Sequence, residues 1–245
     1  MLPSIGIIPA RYASSRFPGK PLALIGGKPM VQRVYERAIA SELDRVLIAT
    51  DHEGIADCAR SFGAEVVLTS SEAPSGTARC LEVIEKLDVQ EALIVNIQGD
   101  EPFIKPEQIN QVLALLRDQK AELATLISPA ENMVEVQDPN RVKVVVDAMG
   151  RALYFSRRAI PYFRESDEAA TPASFFIHLG MYAYTAACLK AIGSLAPSPL
   201  QNAENLEQLA WLEHGYRIHT AVSKERAEAV DSPADLEAIQ KKYFL

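Results

Sequence analysis

Between Pro9 and Leu22 the chain reads PARYASSRFPGKPL, which puts three cations, Arg11, Arg16 and Lys20, within ten residues and among Ser14, Ser15 and Gly19. Small residues let a backbone approach an anion, while hydroxyls, amides and cations point at it. A polyphosphate suits that donor set; on residue types alone, an ordinary solvated basic loop suits it as well. The run is not a P-loop, because GxxxxGK[ST] requires a hydroxyl after the lysine and Pro21 stands there. A second group is Gln98-Gly99-Asp100-Glu101-Pro102. Hard carboxylate oxygens there suit Mg²⁺, which takes one or two protein carboxylates and completes its shell with phosphate and water. A turn held by Asp is the alternative. Asp231, ahead of Ser232-Pro233, is either a second metal carboxylate or the N-cap of the last helix, and the cap is favoured. Ser75-Gly76-Thr77-Ala78-Arg79 either meets a nucleotide base through its backbone or caps a helix, and capping is again favoured. His178 lies in an apolar run and reads first as a packing residue. Glu207 and Gln208 lie on a helix whose apolar face is already accounted for by Leu206, Leu209 and Leu212. There is no G-x-S-x-G elbow, no H-E-x-x-H and no Rossmann fingerprint, which counts against serine hydrolases, zinc proteases and dehydrogenases.

The elements that must hold these residues alternate in type. Ile5-Gly6-Ile7-Ile8 reads as a buried strand ending at Pro9, and Met30–Ala38 has helical periodicity, so the cationic run leaves the end of a parallel strand. Open α/β sheets bind ligands at that edge. Arg45–Thr50 is a strand, Asp51 can cap a helix through Ile55, Ala59 and Phe62, and Gly63 closes it. Glu65–Thr69 is the next strand, followed by a polar loop and a helix with Leu81, Ile84 and Leu87 on one face. Ala92–Ile97 is strongly apolar and delivers Asp100 to a strand's carboxyl end. Pro106 opens a helix, and Leu123–Ile127 is another strand. The pattern predicts a doubly wound, mainly parallel α/β sheet. Further on, Val142–Asp147, the turn Ala148-Met149-Gly150 and Arg151–Phe155 form a hairpin. The loop from Arg157 to about Ala173 reads as a flap. His178–Tyr184 and Tyr216–Val222 are strands, Asn205–His214 is a helix ending at Gly215, and Asp235–Lys242 is the closing helix. The expectation is one domain, 1–245, in which residues 130–225 form a substrate-facing excursion.

The 245 residues, 48% of them hydrophobic, are enough for a sizeable core, and a net charge of −7 argues against a nucleic-acid partner. The cations near the amino end are therefore local. No signal-like segment and no membrane-spanning run is visible. Three scattered cysteines suit a reducing compartment, so a cytoplasmic enzyme is expected.

Taken in order, PARYASSRFPGKPL, GKPM (27–30), ATD (49–51), SGT (75–77), NIQGDEP (96–102), VKVV (142–145), ALYFSR (152–157), HLGMYAY (178–184), LEQL (206–209) and VDSPADL (230–236) resemble the 3-deoxy-manno-octulosonate cytidylyltransferase family, also called CMP-Kdo synthetases. The likeness covers nearly the whole chain. It implies a nucleotidyltransferase-type sheet with a smaller hairpin-containing layer for substrate and dimer contacts. The implied reaction transfers CMP from CTP to the anomeric hydroxyl of Kdo, with Mg²⁺, for lipopolysaccharide synthesis by a homodimer. By the same resemblance, Arg11 and Lys20 hold the triphosphate, helped by Ser14, Ser15 and Arg16. Ser75, Gly76 and Arg79 line the cytidine side, and Asp100 and Asp231 hold the metal. Gln98, Arg157, Arg164, His178, Tyr182, Glu207 and Gln208 surround the sugar acid. Two positions depart from the family pattern: alanine at 78 replaces an acid, and alanine at 210 replaces an arginine. Drift, joint loss of a charge pair, or a pocket retuned toward 8-amino-Kdo would each produce that. Another sugar acid as acceptor and a non-catalytic nucleotide-binding regulator are the competing functions.

Overall fold

Strand β1 (Ser4–Ala10) is apolar almost throughout, and Ile7 and Ile8 are fully buried. A strand inside a parallel sheet is covered on both faces and has no polar side to present. The computed structural model describes residues 2–13, 17–118, 121–164 and 171–244. They fall into two compact units, Met1–Asn110 with Arg226–Leu245, and Gln111–Glu225.

The first unit continues with the short hairpin β2 (Leu24–Ile25) and β3 (Lys28–Pro29), then α1 (Met30–Ile39), β4 (Arg45–Thr50), α2 (Glu53–Ser61), β5 (Glu65–Leu68), α3 (Gly76–Lys86) and β6 (Leu93–Asn96). β1 pairs in parallel with both β4 and β6, and β5 lies parallel outside β4. Ala10 is level with Thr50, and Ile7 with Asn96, so these strands end at one edge of the sheet. Each helix buries one stripe: Met30, Val31, Val34 and Ala38 on α1, and Cys80, Val83 and Ile84 on α3. Gly99 sits where two backbones meet; a Cβ there would lie 2.4 Å from the Pro9 carbonyl oxygen, which no other residue could accommodate without shifting the chain. Helix α4 (Pro106–Asp118) begins in this unit and ends in the next.

The second unit holds β7 (Leu123–Pro129), α5 (Met133–Gln137), the hairpin β8 (Lys143–Val146) and β9 (Ala152–Ser156), β10 (Phe176–Thr185), α6 (Ala186–Gly193), α7 (Pro199–Glu204), α8 (Glu207–Glu213) and β11 (His219–Val222). β7 takes β11 in parallel and β10 antiparallel, and β8 pairs antiparallel with β10 and β9. β10 carries a register shift between Leu179 and Tyr182. The chain then returns to the first unit and closes with α9 (Pro233–Phe244).

The elements read from sequence differ at identifiable points. The cap of α2 is His52, whose ring nitrogen accepts from Gly54 N–H at 3.1 Å; Asp51 is engaged elsewhere. The helix expected over Asn205–His214 is the shorter α8 (Glu207–Glu213), and a separate helix, α7, precedes it. Asn205 adopts a left-handed φ of 51° and ends α7, which Ser198 caps and Pro199 opens. The last strand begins at His219 rather than Tyr216. The cap of α9 is Ser232, not Asp231: its Oγ accepts from Asp235 N–H at 3.3 Å, while Asp235 Oδ2 accepts from Ser232 N–H at 2.8 Å.

Candidate active site

The loop after β1 is closed by its own backbone, with Gly19 N–H bonded to the Tyr12 carbonyl at 2.9 Å. Gly19 takes φ of 70°, a conformation open to glycine, and turns the chain so that Lys20 starts a short 3-10 turn (Lys20–Leu22). Lys20 Nζ reaches Asp100 Oδ2 at 2.8 Å and Asp231 Oδ1 at 3.6 Å. The two carboxylates, 131 positions apart in sequence, are brought together by a backbone bond from Val230 N–H to the Asp100 carbonyl at 2.9 Å. Because Ser232 and Asp235 cap α9 between themselves, the Asp231 carboxylate is left to face Lys20.

These three side chains stand on the wall of a cavity of about 280 Å³ that is also lined by Arg11, Ser75, Gly76, Arg79 and Gln98. Ser75 caps α3 by accepting from Ala78 N–H at 3.1 Å, so the capping and cavity-lining readings both apply to it. Gly76 begins a helix of 11 residues whose amino end carries partial positive charge. Arg79 is 2% exposed; its guanidinium donates to the Thr69 hydroxyl and lies 3.4 Å from Asp51 Oδ2. Asp51 Oδ1 accepts from Tyr12 N–H at 3.2 Å, and the Tyr12 and His52 rings stack with centroids 4.1 Å apart. Asp51 thus ties the cationic loop to α3, a role its sequence position did not signal. Ser14, Ser15 and Arg16 lie outside the described residues.

Two carboxylates opening onto a polar cavity are a donor set suited to Mg²⁺, which needs no third protein ligand when phosphate oxygens are present. Among the described residues no group of three or more His, Cys, Asp and Glu could hold a metal, so the site does not resemble a closed all-protein cage.

Of the residues assigned to the sugar, Gln98 lines this cavity, and the others lie in the second unit. His178 and Tyr182 flank the irregular stretch of β10, with ring centroids 5.2 Å apart. Thr125 Oγ1 donates to the Met181 carbonyl at 2.7 Å and sits 2.9 Å from His178 Nε2. A hydroxyl has one proton to give, so it is His178 Nε2 that carries hydrogen here. Burial pushes this imidazole down to about 3, which keeps it neutral. Among the described residues the buried Tyr182 hydroxyl has no hydrogen-bond partner, and burial, then Tyr184, then Glu207 raise its pKa well above the ordinary value. Trp211, on α8 beside Gln208, meets the Tyr182 ring edge-on at 5.0 Å, a neighbour sequence reasoning missed. Arg157 donates from Nε to the Glu204 carbonyl at 2.7 Å, from Nη1 to Pro139 at 3.0 Å and from Nη2 to Asn205 at 3.2 Å. Lys143, fully buried, donates to the Arg157 carbonyl at 2.5 Å and to those of Arg141 and Asp138 at 2.7 and 2.9 Å. Arg164 is exposed, and residues 165–170 of the expected flap lie outside the described residues.

Residues 5–218 match the family model described as cytidylyltransferase. A 3-deoxy-manno-octulosonate cytidylyltransferase of Cytophaga hutchinsonii is 50% identical over 236 residues, covering 95% of this chain and 94% of its own. This chain belongs to the 3-deoxy-manno-octulosonate cytidylyltransferase family. The family's Arabidopsis thaliana member, whose name places it in mitochondria, is 46% identical over 96% of this chain and 81% of its own. A solved structure of CMP:2-keto-3-deoxy-manno-octonic acid synthetase complexed with CTP superposes with a TM-score of 0.91, at 40% identity and 98% coverage of both chains. The doubly wound nucleotidyltransferase fold expected from the sequence is therefore the family's fold. Among the described residues no helix is long and apolar enough to cross a membrane.

Proposed function

We propose that this enzyme transfers CMP from CTP to the anomeric hydroxyl of Kdo and releases pyrophosphate. The observation that carries the reading is the Lys20–Asp100–Asp231 cluster on the wall of a cavity shared with Arg11 and the start of α3. The sugar hydroxyl oxygen forms a bond to the α-phosphorus as the bond to pyrophosphate breaks, the hydroxyl proton is lost to solvent, and negative charge grows on the departing group. Arg11 and Lys20 meet that charge with cations already in position, so little reorganisation accompanies the step. Ser14, Ser15 and Arg16 assist on the same loop. Ser75, Gly76 and Arg79 receive the cytidine side. Mg²⁺, held by Asp100 and Asp231, supplies further positive charge at the phosphates when bound.

On the acceptor side we assign Gln98, Arg157, Arg164, His178, Tyr182, Glu207 and Gln208 to the sugar acid. The Tyr182 hydroxyl, unpartnered among the described residues, supports this, since a sugar oxygen would satisfy a buried donor that otherwise costs free energy. Arg157 has three of its five N–H donors on backbone carbonyls, which leaves two for a carboxylate. Its first role is then to hold the loops around Pro139 and Asn205. The enzyme is assigned to the cytoplasm as a homodimer serving lipopolysaccharide synthesis, on family resemblance.

Pyrophosphate release from CTP in the presence of Kdo is the test. Release with 8-amino-Kdo or another sugar acid in preference to Kdo would replace the acceptor, and no release with any of them would leave a nucleotide-binding regulator. Asp100→Asn is expected to lower turnover on the order of 10²-fold or more at millimolar Mg²⁺ without changing the thermal midpoint. A variant within a few-fold of the parent would remove Asp100 from the metal site.

A further inference from the structure

Apart from the cavity lined by Lys20 and Asp100, the first unit has another hollow of about 290 Å³. Arg33, Arg37, Lys105 and Arg226 line it, against one carboxylate, Glu228. That carboxylate is already engaged: it pairs with Lys242 and accepts from the Tyr243 hydroxyl at 3.0 Å. In a chain of net charge −7, four cations line one hollow; Glu36 offsets Arg33 in part and Arg226 has contacts of its own, so a bound anion would be met chiefly by Arg37 and Lys105. Arg33 and Arg37 are one turn apart on α1, where like charges are neighbours.

The rest of the wall is aromatic. Phe103 and Tyr243 stack with ring centroids 4.3 Å apart, and Phe244 stands beneath the Arg33 guanidinium at 4.5 Å. Tyr243 and Phe244 are 44% and 42% exposed, so their rings are open at the hollow's rim. Guanidinium groups beside flat rings suit a phosphoryl group, alone or on a nucleotide, better than they suit an apolar ligand. We propose that this hollow is a second site, binding a phosphoryl anion, and that its occupant acts on the nucleotide cavity through the chain segments the two share.

Those segments are short. Phe103 is three residues beyond Asp100, and Glu228 three residues before Asp231. Arg33 Nε donates to the Ile25 carbonyl at 2.5 Å and Nη2 to Gly26 at 3.0 Å, in the hairpin that follows Lys20. Phe103 also packs against an apolar cluster of Ile25, Met30, Val230 and Ile239, which joins the residue before Asp231 to the hairpin after Lys20. A ligand that pulls Arg33 or Lys105 inward therefore moves the supports of Lys20, Asp100 and Asp231 together, and by linkage CTP bound in the cavity alters affinity in the hollow by the same factor.

The experiment is calorimetric titration of inorganic pyrophosphate, and separately of adenosine triphosphate, into the intact enzyme and into the double variant Arg37→Ala, Lys105→Ala. Both side chains are exposed, and neither supports the core. Two equivalents per chain are expected for the parent and one for the double variant. In Lys20→Ala protein, whose cavity is impaired, the equivalent bound by the hollow is expected to remain. One equivalent in the parent, or affinity in the double variant within about twofold of the parent, overturns the site. Tighter binding of the nucleotide than of pyrophosphate assigns the occupant to nucleotides through the Phe103–Tyr243 wall; equal binding assigns it to the free anion. The coupling half rests on the proposed cytidylyl transfer: added pyrophosphate, beyond its product inhibition, shifts KM for CTP in the parent and not in the double variant. Identical KM responses overturn the coupling while leaving the binding result to stand or fall separately.

Discussion

At the scale of single residues the site depends on which charges are held and by what. Lys20 is the centre: its ammonium contacts one carboxylate directly and reaches a second at 3.6 Å, so a change at any of the three alters the other two. Asp51 illustrates a different dependence. Its side chain is 8% exposed, and the Arg79 side chain it faces 3%. Removing one partner of a buried ion pair leaves the other charged and poorly solvated, at a cost of about 3–5 kcal/mol. Asp51→Ala is accordingly expected to lose stability of that order in urea unfolding, and Asp51→Asn, which keeps an acceptor, much less. Equal losses for the two would show that packing, not charge, is what Asp51 contributes. No structural feature explains alanine at 78 or at 210: the first is half-buried on α3 and the second buried beside Trp211, each with room for its methyl group.

At the scale of elements the controlling feature is how ends are capped. Ser75 caps α3 and in doing so presents the helix's amino end to the cavity, so the capping and functional readings of one residue were not rivals. At α9 the reverse holds. Ser232 and Asp235 satisfy the helix end between themselves, and Asp235 Oδ2 also accepts from Asp231 N–H at 3.0 Å, which fixes the backbone from which Asp231 projects. Ser232→Ala is expected to cost about 1 kcal/mol, or about 2–4 °C in the unfolding midpoint for a chain of this size. On the metal role proposed for Asp231, it should also weaken Mg²⁺ binding, read as a higher metal concentration for half-maximal turnover. A midpoint shift with no change in that concentration would uncouple the cap from Asp231.

At the scale of the whole molecule, stability should respond to pH through histidine before it responds through carboxylates. The His178 ring titrates near 6.5 when unfolded and is pushed down to about 3 by burial in the folded chain. Above pH 6.5 both states are neutral there and the full contribution is present. As pH falls from 6.5 toward 3 the unfolded chain binds a proton that the folded chain refuses, so stability declines, at most by about 1.4 kcal/mol per pH unit from this group. His219, lowered chiefly by burial, acts in the same direction. The paired carboxylates Glu36, Glu65 and Glu228, each lowered first by a hydrogen bond from a cation, add their loss only at more acid pH. Urea midpoints measured from pH 7 to pH 5 should therefore fall for the parent and fall less steeply for His178→Gln. Parallel curves would mean that His178 takes up a proton as readily in the folded enzyme as in the unfolded chain.

Periodicity and turn residues were sufficient, in this sequence, to determine the alternation of strands and helices in the first unit and the position of the Pro9–Leu22 loop at a strand's carboxyl end, because both follow from local burial patterns and local backbone preferences. Residue types marked Lys20, Asp100 and Asp231 as capable of phosphate and metal chemistry. Only the tertiary structure decided that these three meet, since the meeting depends on parallel register at one sheet edge and on a backbone bond between Val230 and Asp100. It also decided between Asp231 and Ser232 as the cap, and it gave Asp51 to Arg79 and Tyr12. Those outcomes are choices among partners distant in sequence, and local propensity carries no information about which partner arrives.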